Sequence, residues 1–355
     1  MPDIRKRKKK KIWLIPVCAG VIAAAAVGFL IWTAVRPDSG ETSAQTVSEN
    51  ADTGPAGTIQ WKGKNYRYND HLSNYLLMGV DNREKASTTV GQANAGQADA
   101  IYLVSWDRVE NTVTMISIPR DTMTEIQIYG PGGKDLGTNT DHISLSYAYG
   151  DGSHKSCRLT EDAVSNLMYG LPIQGYCSIN MDALPVLTES VGTLNVTVPN
   201  SSLQDVYPEF AEGSQVTLTP ENTEPFVRYR DIEESQSALH RMERQQEFIR
   251  AYSEAAKSAF AQDPGFAADL YTLLEPYMVT SMGNDEFVRL MQSAAEGGAS
   301  EGWTVPGQPV DGQYYDEYHV DDEALYEKII ETFYTEIGTT KSSTTENGTI
   351  RGETP

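Results

Sequence analysis

The chain has 355 residues, and its 49 Asp and Glu against 28 Lys and Arg give a formal net charge of −21 at pH 7. Positions 1–11 hold seven of the basic residues and one acidic residue, so the rest carries 21 basic and 48 acidic side chains, a net charge of −27. A field of that sign excludes nucleic-acid binding by general electrostatic attraction, so any phosphate ligand must be held by a local arginine cluster.

Residues 1–11 read as a basic cytoplasmic tail. Ile12 to Trp32 is an uncharged stretch of 21 residues, enough to cross the ~30 Å hydrocarbon core as a helix. Trp13 and Trp32 mark its interfacial ends, and the predicted transmembrane helix covers 12–35. The stretch is longer than a signal-peptide core, and no small-residue cleavage site precedes Arg36. The basic flank places the N-terminus in the cytoplasm and the rest outside the cell, as a single-pass cell-membrane protein. Residues 36–57 lack large apolar side chains and read as a flexible extracellular stalk, and 338–355 as a disordered tail. Between them, 58–337 is long enough for one large domain with its own core.

That domain opens with IQWKGKNYRYN, a hairpin signal around Lys62-Gly63-Lys64. Three apolar runs follow, YLLMGV (75–80), AIYLVSWD (100–107) and TVTMISIP (112–119), and the last two should pair antiparallel across a short polar turn. Helices are predicted over 162–169, ending at Gly170, and over 181–191, closed by Gly192 before the strand LNVTVP. Further helices are predicted over 242–260, 266–275, 284–296 and 322–335. Interleaved strands and helices predict an α/β layered architecture. Of three cysteines, Cys18 lies in the membrane segment. Cys157 and Cys177 are compatible with a disulfide but read better as small buried residues. No C-x-x-C or H-E-x-x-H spelling argues for zinc.

The basic residues cluster in FVRYRDIEESQSALHRMERQQ, with Arg228, Arg230, Arg241, Arg244 and Gln245. Arg228 and Arg230, two apart, would share one side of an extended strand. Arg241 and Gln245, four apart, would share one face of a helix. Arginine suits bidentate contact with phosphate oxygens, although neighbouring glutamates could make the same residues an ordinary solvated surface. At the strand ends, Asp81 follows the first apolar run, Asp99 begins the second, and Arg120 and Asp121 follow the third. With antiparallel neighbours, Asp81, Asp99 and Arg120 share one edge. Two carboxylates plus arginine suit a Mg²⁺–phosphate site. Asp81 alone could merely form a turn, and Asp121 could cap a helix.

The ordered series NYLLMGVDNRE, GQADAIYLVSWD, MISIPRDT, HISLSYAYGDG, LMYGLPIQGY and FVRYR…RMERQQ resembles the LytR-CpsA-Psr family over roughly 58–335. The GQAD and SYAYGDG spellings are similar to those of clostridial-type members. The resemblance implies an envelope enzyme, a Mg-dependent phosphotransferase. It would move a glycopolymer, such as teichoic acid or capsular polysaccharide, from a polyprenyl-pyrophosphate carrier to peptidoglycan. It also implies a three-layer α-β-α sandwich around a mixed, largely antiparallel sheet, with an apolar tunnel for the polyprenyl chain. By motif, Asp81 and Asp99 correspond to the Mg²⁺ residues, and Arg120, Arg228, Arg230, Arg241 and Gln245 to the pyrophosphate-binding set. Arg244 matches less well. Three spellings depart from the family: Gln97 where many members have Arg, Ser144 where many have Asn, and Ala238-Leu239-His240-Arg241 for a common Asp-x-Gly-Arg. Asp99 or Asp121 would serve as base for the attacking hydroxyl, and the sequence leaves that choice open. The competing reading is a non-catalytic envelope protein that binds polyprenyl phosphates or regulates wall assembly.

Overall fold

The computed structural model describes residues 58–83, 90–91, 95–231, 236–296, 298–299 and 302–337. The predicted basic tail, membrane span, stalk and C-terminal tail lie outside the described residues. Among those described, no helix is long and apolar enough to cross a membrane.

Strands β1 (Thr58–Trp61) and β2 (Lys64–Tyr68) form the predicted hairpin. Lys62 and Gly63 have φ of 46° and 78°, the two positive values that a type I′ turn requires. Strands β3 (Leu72–Val80), β4 (Ala98–Asp107) and β5 (Thr112–Ile118) are consecutive antiparallel neighbours, as the three apolar runs predict. A hairpin of β6 (Met123–Gly130) and β7 (Lys134–His142) follows. It gives little sequence signal because β7 is almost wholly exposed and carries no apolar alternation. Helices α1 (Leu145–Ala148) and α2 (His154–Leu167) lead to β8 (Gly175–Ile179), which lies parallel to β3. Helix α3 (Ala183–Val191) ends at Gly192, and β9 (Leu194–Thr197) pairs antiparallel with β10 (Gln215–Leu218). Then come α4 (Thr223–Arg228), the long α5 (Ser237–Gln262), α6 (Phe266–Leu274), β11 (Met278–Thr280) and α7 (Asn284–Glu296). Two short strands, β12 (Gly298–Ala299) and β13 (Trp303–Thr304), run parallel to β5. A hairpin of β14 (Gly307–Asp311) and β15 (Asp316–Val320), then α8 (Asp322–Phe333) and β16 (Tyr334–Ile337), complete the chain.

The described residues fall into two units. In the larger, 71–325, the central sheet has the order β11-β8-β3-β4-β5, continued by β12 and β13. It is mixed, with antiparallel pairs at its centre and parallel pairs to β8, β12 and β13. The expectation of a mixed, largely antiparallel sheet therefore holds for β3-β4-β5 and for the β11–β8 pair, while β3–β8 and the short pairs of β5 with β12 and β13 are parallel. Strand periodicity explains why both faces are apolar. Tyr75, Leu77, Tyr102, Val104, Val113 and Met115 join the cluster built with α3, α5, α6 and α7. The alternate residues Leu76, Ile101, Leu103 and Ile116 are equally buried, and α1 and α2 lie against β4 and β8. In the smaller unit, 58–70 with 326–337, β2 lies between β1 and β16. The Trp61 and Tyr326 rings meet edge-on at 4.9 Å between centroids, and Lys62 pairs with Glu327 at 2.7 Å.

Cys157 and Cys177 are free thiols and buried. Burial pushes each thiol up to about 12, so neither is a nucleophile at neutral pH. Iodoacetamide at pH 8 should leave both unlabelled in the folded protein and label both in urea, as peptide mapping would show.

Candidate functional site

The antiparallel order β3-β4-β5 brings the end of β3, the start of β4 and the end of β5 to one sheet edge, where Asp81, Asp99 and Arg120 lie. The register adds a feature with no sequence signal. Gly79 pairs with Ala100 and Val80 with Ala98, so Asp99 is the extra residue of a β-bulge. A bulge re-aims one side chain out of the alternating pattern. Gly79 suits this close approach, since a Cβ there would lie 3.2 Å from that of Ala100.

The buried Asp99 carboxylate is the hub. Its Oδ1 accepts from Arg120 Nη1, and its Oδ2 accepts from Arg241 Nη1 at 2.7 Å. Residues remote in sequence thus share one carboxylate. Arg120 has a planar fork of five N–H donors, and each of its three nitrogens donates once, which leaves an N–H on each Nη for a ligand. Its Nη2 donates to Gln97 Oε1, and its Nε to Asp121 Oδ1 at 3.0 Å. Gln97, where an arginine was expected, therefore contributes an acceptor that orients Arg120.

Arg241 and Gln245 lie one turn apart on α5, both buried, as their spacing predicts. Burial is the largest cause depressing the Arg241 pKa, and repulsion from Arg120 and Arg230 adds to it, while Asp99 opposes it. Among the described residues, Nε and Nη2 of Arg241 have no hydrogen-bond partner, nor has the buried Tyr102 hydroxyl. Unpartnered buried donors of this kind are rare, because each costs about 1–3 kcal/mol of desolvation. Tyr102 was not foreseen: it sits on β4, and in sequence it is one more strand aromatic.

The other predicted residues divide. Asp81 Oδ1 accepts from the Gln97 backbone N–H at 2.7 Å. Burial raises the Asp81 pKa, the Gln97 bond counters it, and the nearby charge of Asp99 raises it further. Arg228 does not lie on a strand: it ends helix α4 and pairs with Glu224 at 3.1 Å. The shared-strand-face argument for Arg228 and Arg230 therefore fails, since the helix continues through Val227 and turns only at Tyr229. Arg228 nonetheless reaches Asp81 electrostatically. Arg230 donates from Nε to Ser237 Oγ at 2.9 Å and faces Asp316 of β15 at 3.8 Å. Arg244 is a structural pin rather than a member of this group. It is 1% exposed and donates to the Phe226 carbonyl at 2.8 Å, the Tyr229 carbonyl and Ser202 Oγ.

Two cavities meet at Asp99, Tyr102 and Gln245. One, of about 680 Å³, is walled by Leu77, Val80, Ile179, Leu184, Phe248 and Ile249. Of the apolar stretch 164–191 only the part from Cys177 onward lines it, while Val164, Met168 and Leu171 are ordinary core. The other, of about 460 Å³, is more polar and is lined by Arg120, Asp121, Asp316 and Glu317. A cationic centre thus stands between an oily cleft and a carboxylate-lined chamber, an arrangement suited to an amphiphilic phosphate compound.

The chain is similar to two curated transferases. It is 28% identical over 246 residues to the polyisoprenyl-teichoic acid–peptidoglycan teichoic acid transferase TagU of Halalkalibacterium halodurans, covering 68% of this chain and 71% of that one. It is 29% identical over 271 residues to the transferase TagT of Bacillus subtilis, covering 72% and 73%. Among solved structures it is similar to TagT bound to LI-WTA, with TM-score 0.55 and 22% identity over 73% of this chain and 88% of that one. It is also similar to TagV of B. subtilis, with TM-score 0.54 and 20% identity over 73% and 96%. At these identities the structural likeness concerns the fold. A family model matches residues 38–331, which include every strand of the central sheet and every residue of the Asp99 centre, so the chain belongs to the LytR_cpsA_psr family.

Proposed function

We propose that this enzyme transfers a glycopolymer of the teichoic-acid or capsular class from a polyprenyl-pyrophosphate carrier to a peptidoglycan hydroxyl. It would act at the outer face of the cell membrane, anchored by residues 12–35. The observation that carries the reading is the buried Arg241, with Nε and Nη2 unpartnered among the described residues and Nη1 on Asp99, which lines the apolar cleft together with Tyr102. A diphosphate offers acceptor oxygens to those donors, and an isoprenoid tail fits the oily walls. The names of the curated relatives support the same substrates. Arg120 and Arg241 bind non-bridging oxygens and stabilise the charge that develops on the leaving phosphate, and Gln245 adds an amide. Arg230 contributes a further positive charge at the same centre.

Mg²⁺ fits the donor set. It is commonly held by one or two carboxylates with substrate phosphate oxygens completing its shell, and Asp81 and Asp99 supply two. Burial, with the Asp99 charge beside it, raises the Asp81 pKa against the pull of Arg120 and Arg228, and a cation there would favour the ionised form. When bound, the ion would neutralise charge on the diphosphate. The sign for stability follows from the direction. A carboxyl whose pKa is higher in the folded state contributes favourably at low pH, and that contribution is lost as pH rises through the folded value. At neutral pH ionised Asp81 is therefore a cost, which a cation relieves.

The test uses the full-length protein purified in detergent. Mass spectrometry should find polyprenyl (pyro)phosphate co-purifying with it, and transfer from lipid-linked polymer to peptidoglycan should need a divalent ion and stop with EDTA. In the presence of donor, MgCl₂ should raise the melting temperature of wild type more than that of Asp81→Asn. Bound donor with no turnover under any divalent ion would favour the non-catalytic binding protein instead.

A further inference from the structure

The two cavities lie on opposite flanks of β4. The apolar cleft takes its walls from β3, β8, α3 and, on α5, Phe248 and Ile249, whereas the polar chamber is formed by the end of β5, the first turns of α5 and the β14–β15 hairpin. Since the sheet order is β3-β4-β5, the cleft adjoins the β3 side of Asp99 and the chamber the β5 side, so a phosphate held by Arg120 and Arg241 would have one cavity on either side. Phosphoryl transfer requires that opposition, because the attacking and leaving oxygens stand roughly in line.

Asp121 lines only the polar chamber. It is buried, and its Oδ1 accepts from Arg120 Nε at 3.0 Å, while among the described residues its Oδ2 has no hydrogen-bond partner. Asp99 differs, with a guanidinium on each oxygen. Both Asp99 oxygens are thus engaged, whereas Asp121 has an oxygen to spare. The chamber also has the chemistry of a sugar site. Asp316 and Glu317 add carboxylates that accept from hydroxyls. Tyr314 and Tyr315, on the turn just before Asp316, are exposed but lie outside the lining of the chamber.

We infer that the polar chamber is the acceptor subsite, that it takes the sugar bearing the attacking hydroxyl, and that Asp121 is the base for that hydroxyl. The inference rests on the transferase reading above. The acceptor O–H gives its proton to Asp121 Oδ2 as its oxygen bonds to the phosphorus that carries the glycopolymer. The bond from that phosphorus to the bridging oxygen breaks, and polyprenyl phosphate leaves with the electron pair into the β3-side cleft. The product is a phosphodiester between polymer and acceptor.

Two variants of the full-length protein test this, with donor binding and transfer measured separately. Asp121→Asn keeps the size of the side chain and should lower transfer by about 10²–10⁴-fold, the range of general-base catalysis, with donor binding within about twofold of wild type. Leu239→Trp fills the chamber from α5 without touching the apolar cleft. It should raise the acceptor concentration needed for half-maximal transfer at least about tenfold and leave that for the donor unchanged. Transfer by Asp121→Asn within about threefold of wild type, or unaltered acceptor saturation in Leu239→Trp, overturns the assignment. Should Asp121→Asn fail to fold, Leu239→Trp decides. Wild type that binds no donor sinks the transferase reading itself, an outcome distinguishable from donor-competent variants whose acceptor behaviour is unchanged.

Discussion

Arg120→Ala should lower transfer by about 10³-fold or more while the melting temperature moves by only a few degrees. Arg120 is the group whose three donor positions are each directed by a neighbour, Asp99, Gln97 and Asp121. A diphosphate leaving group concentrates negative charge as the bond breaks, and a pre-aimed guanidinium meets that charge without reorganisation. Truncation leaves Asp99 still paired with Arg241 at 2.7 Å, so the hub is weakened and not orphaned. Arg120→Lys should recover little, because an ammonium is a point charge and lacks the fork that reaches three acceptors at once. A transfer assay beside a thermal melt checks both halves. Activity within tenfold of wild type in Arg120→Ala would remove Arg120 from the chemistry.

Arg244→Ala should behave in the opposite way, with a stability loss of about 3–5 kcal/mol, since several buried acceptors each lose a donor at about 1–3 kcal/mol. At 1% exposure Arg244 ties the carbonyls of Phe226 and Tyr229 and Ser202 Oγ to α5. Removing it leaves a void among Phe226, Phe210 and their neighbours, and buried acceptors without donors. The segment so anchored carries Arg228 and Arg230, so activity should fall as a consequence of unfolding or displacement. Urea denaturation followed by circular dichroism reads the effect. A change below about 1 kcal/mol would mean that the carbonyls are satisfied in another way.

Much of the scaffold could be read residue by residue. The runs YLLMGV, AIYLVSWD and TVTMISIP are strands because their apolar side chains are doubly buried, and their short connection makes the last two antiparallel. Gly170 and Gly192, both at positive φ, end helices where their position suggested. The pair Arg241 and Gln245 shares a helix face because the period of a helix is a local property. Arg228 was misread for a related reason: an i, i+2 spacing reports a shared face only on a strand, and FVRYR gave no cue that helix α4 extends to Arg228.

What the sequence determined by itself, then, is the β1–β2 hairpin, the strands β3 to β5 and β9, the longer helices, the density of arginine in one acidic chain, and the carboxylates at strand ends. These follow from local backbone preference and from composition, which act without knowledge of distant partners. Only the tertiary structure decided that Asp99 is a bulge residue shared by Arg120 and Arg241, that Arg241 and Tyr102 keep donors unspent, and that Arg244 holds the scaffold. It also brought the β14–β15 hairpin beside Asp121, where the Tyr318 N–H donates to the Asp121 carbonyl at 2.8 Å. Each of these is a pairing across many residues of chain. Its energy depends on burial and on a partner's exact position, and neither is written in the spacing of neighbouring side chains.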